Sequence, residues 1–261
     1  MSYKQYISPL FLVLIIVSMA GLGGSASAGV KNGRQDTMAL GRSALPPVAF
    51  LQFCRRQPAD CGADPEAVLR QVDEAEAERA SLLAMTAAHP RQILADAPAA
   101  MRVTVPAAGG QEPIVEPPPA ARRETLSMGP MLWARLNRIN DAVNRAIAPQ
   151  DDMTTYGQAD YWATPLEDGR KVGDCEDYVL EKQRALIGAG LPREALSIAT
   201  VTTNWGEAHA VLLVTTQQGE FVLDNLSRQI VAWSDAPYRW NKRQSPGQPF
   251  HWVMVDIAPA S

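Results

Sequence analysis

The chain has 261 residues, a formal charge of −4 and a hydrophobic share of 46%. This length allows one moderate domain with an extension, and the apolar share is sufficient to bury a core. The mild acidity, without any basic stripe, excludes the electrostatic footprint of nucleic-acid binding, so no nucleic-acid partner is expected.

Residues 1–28 have the pattern of an export signal. Lys4 provides the positive flank, residues 10–17 form an apolar run, and Ala-Ser-Ala at 26–28 is a small-x-small cleavage site. The apolar run is shorter than the ~20 residues of a membrane span, with an uncleaved anchor as the alternative. We therefore expect a cleaved signal peptide and a periplasmic protein.

The three cysteines divide into a pair and a single residue. Cys54 and Cys61 flank a polar stretch with Pro58 that suits a tight loop. An oxidising compartment favours a disulfide between these two residues. Cys175 is then a free thiol.

The segments before the core differ in character. Residues 29–47 are polar and are predicted to be poorly ordered, whereas Asp64 is a suitable N-cap for a helix to about Ala88. A Pro/Ala/Gly-rich stretch is typical of a linker or surface excursion. The predicted organisation is a signal peptide (1–28), an N-terminal extension (29–94), a linker (95–123) and a core (124–261).

The core is predicted to begin with helices and to end with strands. An apolar stripe with helical spacing ends before Pro149, and a second helix ends at the Gly-Ala-Gly sequence of 188–190. The stripe consists of Leu132, Leu136, Ile139, Val143 and Ile147. Strands are predicted over 196–203, 208–216, 220–223, 230–233 and 252–255, with a hairpin around 217–219.

Cys175 lies in a Gly-Asp-Cys-Glu-Asp-Tyr sequence directly before the second of these helices. A thiol at a helix start is near the positive end of the helix dipole, which favours the nucleophilic thiolate. Downstream, His209 begins one strand and Asp224 ends the next. Cys, His and Asp are the residue types of a nucleophile, its base and the residue that orients the base.

The hairpin explains how His209 and Asp224 can meet. A four-residue loop at 215–218 places Asp224 directly opposite His209, and a shift by one residue places it opposite Val211, still within reach. His209 alone is also compatible with a buried core histidine, and Asp224 with an ordinary turn residue.

Three acids, Asp174, Glu176 and Asp177, surround the thiol in sequence. Their charges would raise the pKa of a thiol that they face, unless a hard cation such as Ca²⁺ neutralises them. The alternative from spacing is a capped helix N-terminus, in which these acids interact with the helix dipole.

The chain from Leu126 to Asp256 resembles the bacterial transglutaminase-like cysteine proteinases, which include the LapG-type periplasmic proteases. The resemblance is carried by residues 161–167, 173–178, 209–212 and 222–225. It implies a papain/transglutaminase-like α+β core in which the nucleophile helix packs on an antiparallel β-sheet. It also implies Cys175 as nucleophile, His209 as base and Asp224 as orienter.

The same resemblance implies Ca²⁺ beside the nucleophile, on Asp174 and Glu176, with Asp177 as a further candidate. LapG-type enzymes cut a surface adhesin at a di-alanine site and are held by an inner-membrane receptor that responds to cyclic di-GMP. Tyr161 and Trp162 are candidates for oxyanion or substrate contacts. Two alternatives stay open, namely transglutaminase-like acyl transfer to an amine and an inactive periplasmic binding module.

Overall fold

A seven-stranded antiparallel sheet organises the chain in the computed structural model, which describes residues 37–88 and 126–255. The predicted signal peptide and linker lie outside these ranges. The strands are β1 (Leu40–Ala44), β2 (Ala148–Pro149), β3 (Val172–Gly173), β4 (Leu196–Thr202), β5 (Ala208–Thr216), β6 (Gly219–Leu223), β7 (Val231–Ala232), β8 (Arg239–Ser245) and β9 (Gln248–Val255). The sheet order is β1-β9-β8-β4-β5-β6-β7, while β2 and β3 form a separate parallel pair.

The helices lie before and between the strands. They are α1 (Val48–Arg56), α2 (Pro58–Cys61), α3 (Pro65–Ala88), α4 (Pro130–Ala146), α5 (Asp152–Tyr156) and α6 (Cys175–Gly188). Asp64 caps α3 as predicted, because its Oδ1 accepts the backbone N–H of Glu66 at 3.0 Å. None of the helices in the described ranges has the length and apolar character needed to cross a bilayer.

The main core lies between the helices and one face of the sheet. It joins Phe50 of α1, Val72 of α3, Leu136 of α4 and Leu180 of α6 to strand residues such as Leu212. A second apolar cluster on the opposite face contains Val201, Val211, Val222 and Trp240 of the strands, together with Met38. The α+β class, with the nucleophile helix against an antiparallel sheet, is therefore confirmed.

The hairpin register predicted from the sequence is wrong. Thr216 pairs with Gly219 and Leu212 with Leu223, so the turn contains two residues instead of four. The hydroxyl of Thr216 donates to the Gly219 carbonyl and accepts the Gln218 N–H, which stabilises the shorter turn. Continued by one step, this register places Asp224 opposite Val211, the alternative position considered above.

Several elements of the N-terminal extension and the sheet were not predicted. Within the stretch expected to be poorly ordered, β1 forms because its backbone pairs with the edge of β9. Between Cys54 and Cys61 the chain forms the end of α1 and the short α2, separated by Gln57, instead of a tight loop. Strand β8 was missed because it is rich in polar residues, yet Arg243 is fully buried and paired with Glu220 at 2.6 Å.

The disulfide between Cys54 and Cys61 is present, and both residues are buried. Replacing both cysteines with alanine should lower the free energy of unfolding by about 2–3 kcal/mol, because the unfolded chain loses a closed loop. Urea denaturation measures this loss. Reductant should destabilise the wild type but not the double variant. Equal urea midpoints for the wild type and the double variant without reductant would contradict the expectation.

Candidate active site

Cys175 is the first residue of α6 and its thiol is half-buried and free. The helix packs against β5, and the Ala210 backbone lies close enough to the Cys175 thiol to act on its pKa, which it lowers. Ala210 directly follows His209 in β5. The fold therefore brings the thiol to the strand that carries the predicted base.

His209 and Asp224 form a buried pair. Nε2 of His209 lies 2.9 Å from Oδ1 of Asp224, and the two residues are 6% and 3% exposed. Burial acts to raise the pKa of Asp224, but hydrogen bonds from His209, Tyr238 and the Leu226 N–H outweigh burial and hold that pKa below its usual value. An ionised carboxylate only accepts, so Nε2 carries the proton and Nδ1 is left as the basic nitrogen.

The Cys175 thiol has a different electrostatic environment from the one that its helix position predicts. Burial is the main cause that raises its pKa well above the ordinary value, and the charge of Glu176 adds to this effect. The thiol donates to Oε2 of Glu176 at 3.2 Å. Burial, together with the acids beside the thiol, therefore raises the thiol pKa in spite of its position at the helix start.

The structure gathers five acids beside Cys175, hereafter the acidic cluster: Asp152, Asp160, Asp174, Glu176 and Asp177. Ligand oxygens lie within 4.8 Å of one another in two triplets, Asp152–Asp160–Glu176 and Asp152–Asp174–Asp177. The three acids predicted from the sequence, Asp174, Glu176 and Asp177, thus all belong to the acidic cluster. Asp152 and Asp160 were missed, because the only sequence signal was their place in a polar loop upstream of Cys175.

Backbone groups of a short loop hold the acidic cluster in place. The N–H of Tyr161 donates to Asp152, and the N–H of Ala163 donates to Oδ1 of Asp177 at 2.7 Å. A Cβ at position 173 would collide with the Asp177 carboxylate, so only glycine fits there. The loop and the start of α6 therefore enclose the acids from two sides.

Tyr161 and Trp162 both donate hydrogen bonds to members of the acidic cluster. The indole N–H of Trp162 donates to Asp160 at 3.0 Å, and its ring packs edge-on against Phe50 at 5.5 Å. In this structure the donors of both residues are directed at acids, so they act as supports of the acidic cluster. Their assignment as oxyanion or substrate contacts stays a prediction.

The acidic cluster fits a hard cation. Within the described ranges, Oδ1 of Asp152, Oδ1 of Asp174 and Oδ2 of Asp177 are buried and accept no hydrogen bond. Burial raises the pKa of Asp177 to about 8 and that of Glu176 well above its usual value. Asp174 forms no side-chain cap on α6, which disfavours the capping alternative. Oxygen ligands of this density match the preference of Ca²⁺.

The N-terminal extension reaches this region through the residues beside its disulfide. The Arg56 guanidinium donates to the Trp162 carbonyl at 2.8 Å and lies 4.0 Å from the centre of the Tyr161 ring. Next to it, the side-chain oxygen of Gln57 accepts from the Thr164 hydroxyl at 2.9 Å. The disulfide-linked helices therefore support the loop that holds the acids.

Comparison with known proteins gave one family and a small set of solved structures. Residues 117–259 match the family described as bacterial transglutaminase-like cysteine proteinase BTLCP. No curated protein matched the chain.

The solved structures similar to the chain include calcium-bound LapG of Legionella pneumophila. It is 24% identical, covers 50% of this chain and 74% of its own, and has a TM-score of 0.41. The EGTA-treated form of that protein is also 24% identical, with 48% and 68% coverage and a TM-score of 0.41. A further LapG structure from the same organism is 26% identical, with 47% and 68% coverage and a TM-score of 0.40.

Proposed function

The chain belongs to the bacterial transglutaminase-like cysteine proteinase family and is a cysteine peptidase, and from this premise we propose that Cys175, His209 and Asp224 are its catalytic triad. The observation that carries this proposal is the buried hydrogen bond between His209 and Asp224, because His209 lies on β5, the strand against which the Cys175 helix packs. The order of the three residues and their chemistry match a thiol nucleophile, a base and an orienter.

The proposed reaction is hydrolysis of a peptide bond through a thioester. Nδ1 of His209 takes the thiol proton, and the sulfur attacks the peptide carbonyl. The protonated imidazole then gives its proton to the leaving amine as the C–N bond breaks. Water, deprotonated by the same nitrogen, releases the acid and restores the thiol. The backbone N–H of Cys175 at the start of α6 is the proposed oxyanion donor.

We further propose that the acidic cluster holds Ca²⁺. Asp152, which belongs to both triplets, would be the central ligand, with Asp174, Glu176 and Asp177 from α6 and its N-cap, and Asp160 from the loop. When bound, the cation supplies positive charge that offsets the acids beside the thiol. The unpartnered buried oxygens of Asp152, Asp174 and Asp177 support this assignment.

A peptidase acts on a protein substrate, and for this chain we propose a surface adhesin cut at a di-alanine site. We also propose a periplasmic location after removal of the signal peptide, and retention by an inner-membrane receptor that responds to cyclic di-GMP. The sequence of residues 1–28 and the family resemblance support these three assignments.

Cleavage-site profiling tests this function. Periplasmic and surface proteins are incubated with wild type or with Cys175→Ala, with and without a calcium chelator, and new N-termini are identified by mass spectrometry. We expect new termini at di-alanine sites in a surface protein with calcium-loaded wild type alone. The same termini with Cys175→Ala would contradict the triad, and termini confined to other proteins would contradict the adhesin. A labelled amine in the incubation distinguishes acyl transfer from hydrolysis.

A further inference from the structure

Tyr238, which no sequence pattern indicated, contacts the proposed triad directly. Its phenol donates to Oδ2 of Asp224, and its ring centre lies 5.6 Å from that of His209. We propose that Tyr238 is a positioning residue, whose hydroxyl fixes the Asp224 carboxylate so that His209 keeps its proton on Nε2 and presents Nδ1 to the thiol. This inference rests on the proposed triad and adds a residue that positions it.

The two oxygens of Asp224 have different partners. Oδ1 accepts from Nε2 of His209 at 2.9 Å and from the Leu226 N–H at 3.0 Å. Oδ2 accepts from the phenol of Tyr238. The last torsion of an aspartate side chain is broad, so a carboxylate held at one oxygen alone can rotate. The phenol therefore removes the rotation that would turn Oδ1 away from the imidazole.

Tyr238 is itself held in a defined position. Its backbone N–H donates to the Ala236 carbonyl at 2.8 Å, and its ring packs with Val231 and Trp233 against the apolar cluster on the second face of the sheet. Burial, together with the hydrogen bond to Asp224, raises the pKa of the phenol. The hydroxyl therefore stays protonated and donates throughout the neutral range.

Other titratable groups lie near the His209–Asp224 pair, and their charges affect the pH at which variants can be compared. Lys182 of α6 is fully buried and feels the charge of Asp224, and burial lowers the pKa of its amine to about 7. The Cys175 thiol lies at the start of α6, which packs against β5, the strand that carries His209. Glu176 accepts a hydrogen bond from that thiol. Because Lys182 changes charge near neutral pH, all variants must be compared at one fixed pH.

The test is imidazole NMR on Tyr238→Phe in the full chain. The sequence has only three histidines, so the ring nitrogen signals are few and His209→Gln assigns the relevant one. In the wild type we expect one His209 tautomer, with a downfield proton on Nε2. In Tyr238→Phe this proton signal should broaden by exchange with water, and iodoacetamide should alkylate Cys175 about 10-fold more slowly, in line with one lost hydrogen bond to a charged group.

Tyr178→Phe is the matched control. Its phenol donates to the Ile147 carbonyl at 2.8 Å, on the same helix as Cys175 but with no contact to Asp224. This variant should keep the wild-type His209 signal and the wild-type alkylation rate. Wild-type values in Tyr238→Phe would overturn the inference. The absence of a bonded Nε2 proton in the wild type would instead overturn the triad, so the two failures are distinguishable.

Discussion

Replacing Cys175 with alanine should reduce peptide-bond hydrolysis by on the order of 10⁴-fold or more and leave the fold intact. The side chain is half-buried at the first turn of α6, so alanine removes only the sulfur and leaves a small space. Without the sulfur no thioester can form, and only binding and the oxyanion donor remain. Hydrolysis of a substrate found by cleavage profiling measures the loss, and circular dichroism checks the fold.

Two histidine variants provide the matched comparison for this result. His209→Gln should lose activity to a similar extent, because the base is removed. His251→Gln should keep it, since His251 lies on β9 and contacts Ser245 at 2.8 Å. Hydrolysis by Cys175→Ala at the wild-type rate, or equal losses in both histidine variants, would be incompatible with the proposed chemistry.

The second large effect is expected for Asp152→Asn. Calcium should raise the melting temperature of the wild type, because a ligand at 100 times its Kd adds about 2.7 kcal/mol of stability. Asp152 belongs to both acid triplets, so Asp152→Asn should lose this shift together with the activity. Asp151→Asn is the control: the neighbouring carboxylate is not a member of the triplets and caps α5 through the Thr154 N–H at 2.8 Å. It should keep the calcium response.

The calcium-free protein should also respond to pH in a defined direction. Burial raises the pKa of Asp177 to about 8 in the folded state, so the folded state binds more protons than the unfolded state between about pH 4 and pH 8. Its free energy of unfolding should therefore fall as pH rises through this range. Calcium should remove most of this fall. Denaturant titrations at several pH values, with chelator and with calcium, measure the free energy of unfolding. A free energy that stays constant or rises with pH in the presence of chelator would contradict the expectation.

The sequence predicted the chemical residue types of the site better than their geometry. Cys175, His209 and Asp224 were predicted as the triad from residue type and order, although the predicted hairpin register was shifted. The shift is harmless because a diagonal neighbour on the same face of a hairpin remains within reach. In the structure Asp224 directly follows Leu223, which pairs with Leu212. Its Oδ1 nevertheless lies 2.9 Å from Nε2 of His209.

The residues that were missed depend on tertiary packing. Tyr238 and Asp152 reach the site from irregular segments and a short helix, where no periodicity indicates which way a side chain points. No sequence pattern indicated that Arg243 is buried, because a charge can be buried when a partner such as Glu220 neutralises it. A local sequence pattern does not reveal such a partner, because the partner lies in a distant part of the chain.

The position of Phe50 has a practical consequence for truncation experiments. The family match begins at residue 117, yet the Phe50 ring lies 5.5 Å from Trp162 and 5.7 Å from Trp252, both inside the matched range. A fragment excised at the family boundary would lose this ring along with Arg56, and would expose two indoles to water. Such a fragment should aggregate and bind calcium poorly. A fragment designed to keep this site should therefore begin before α1.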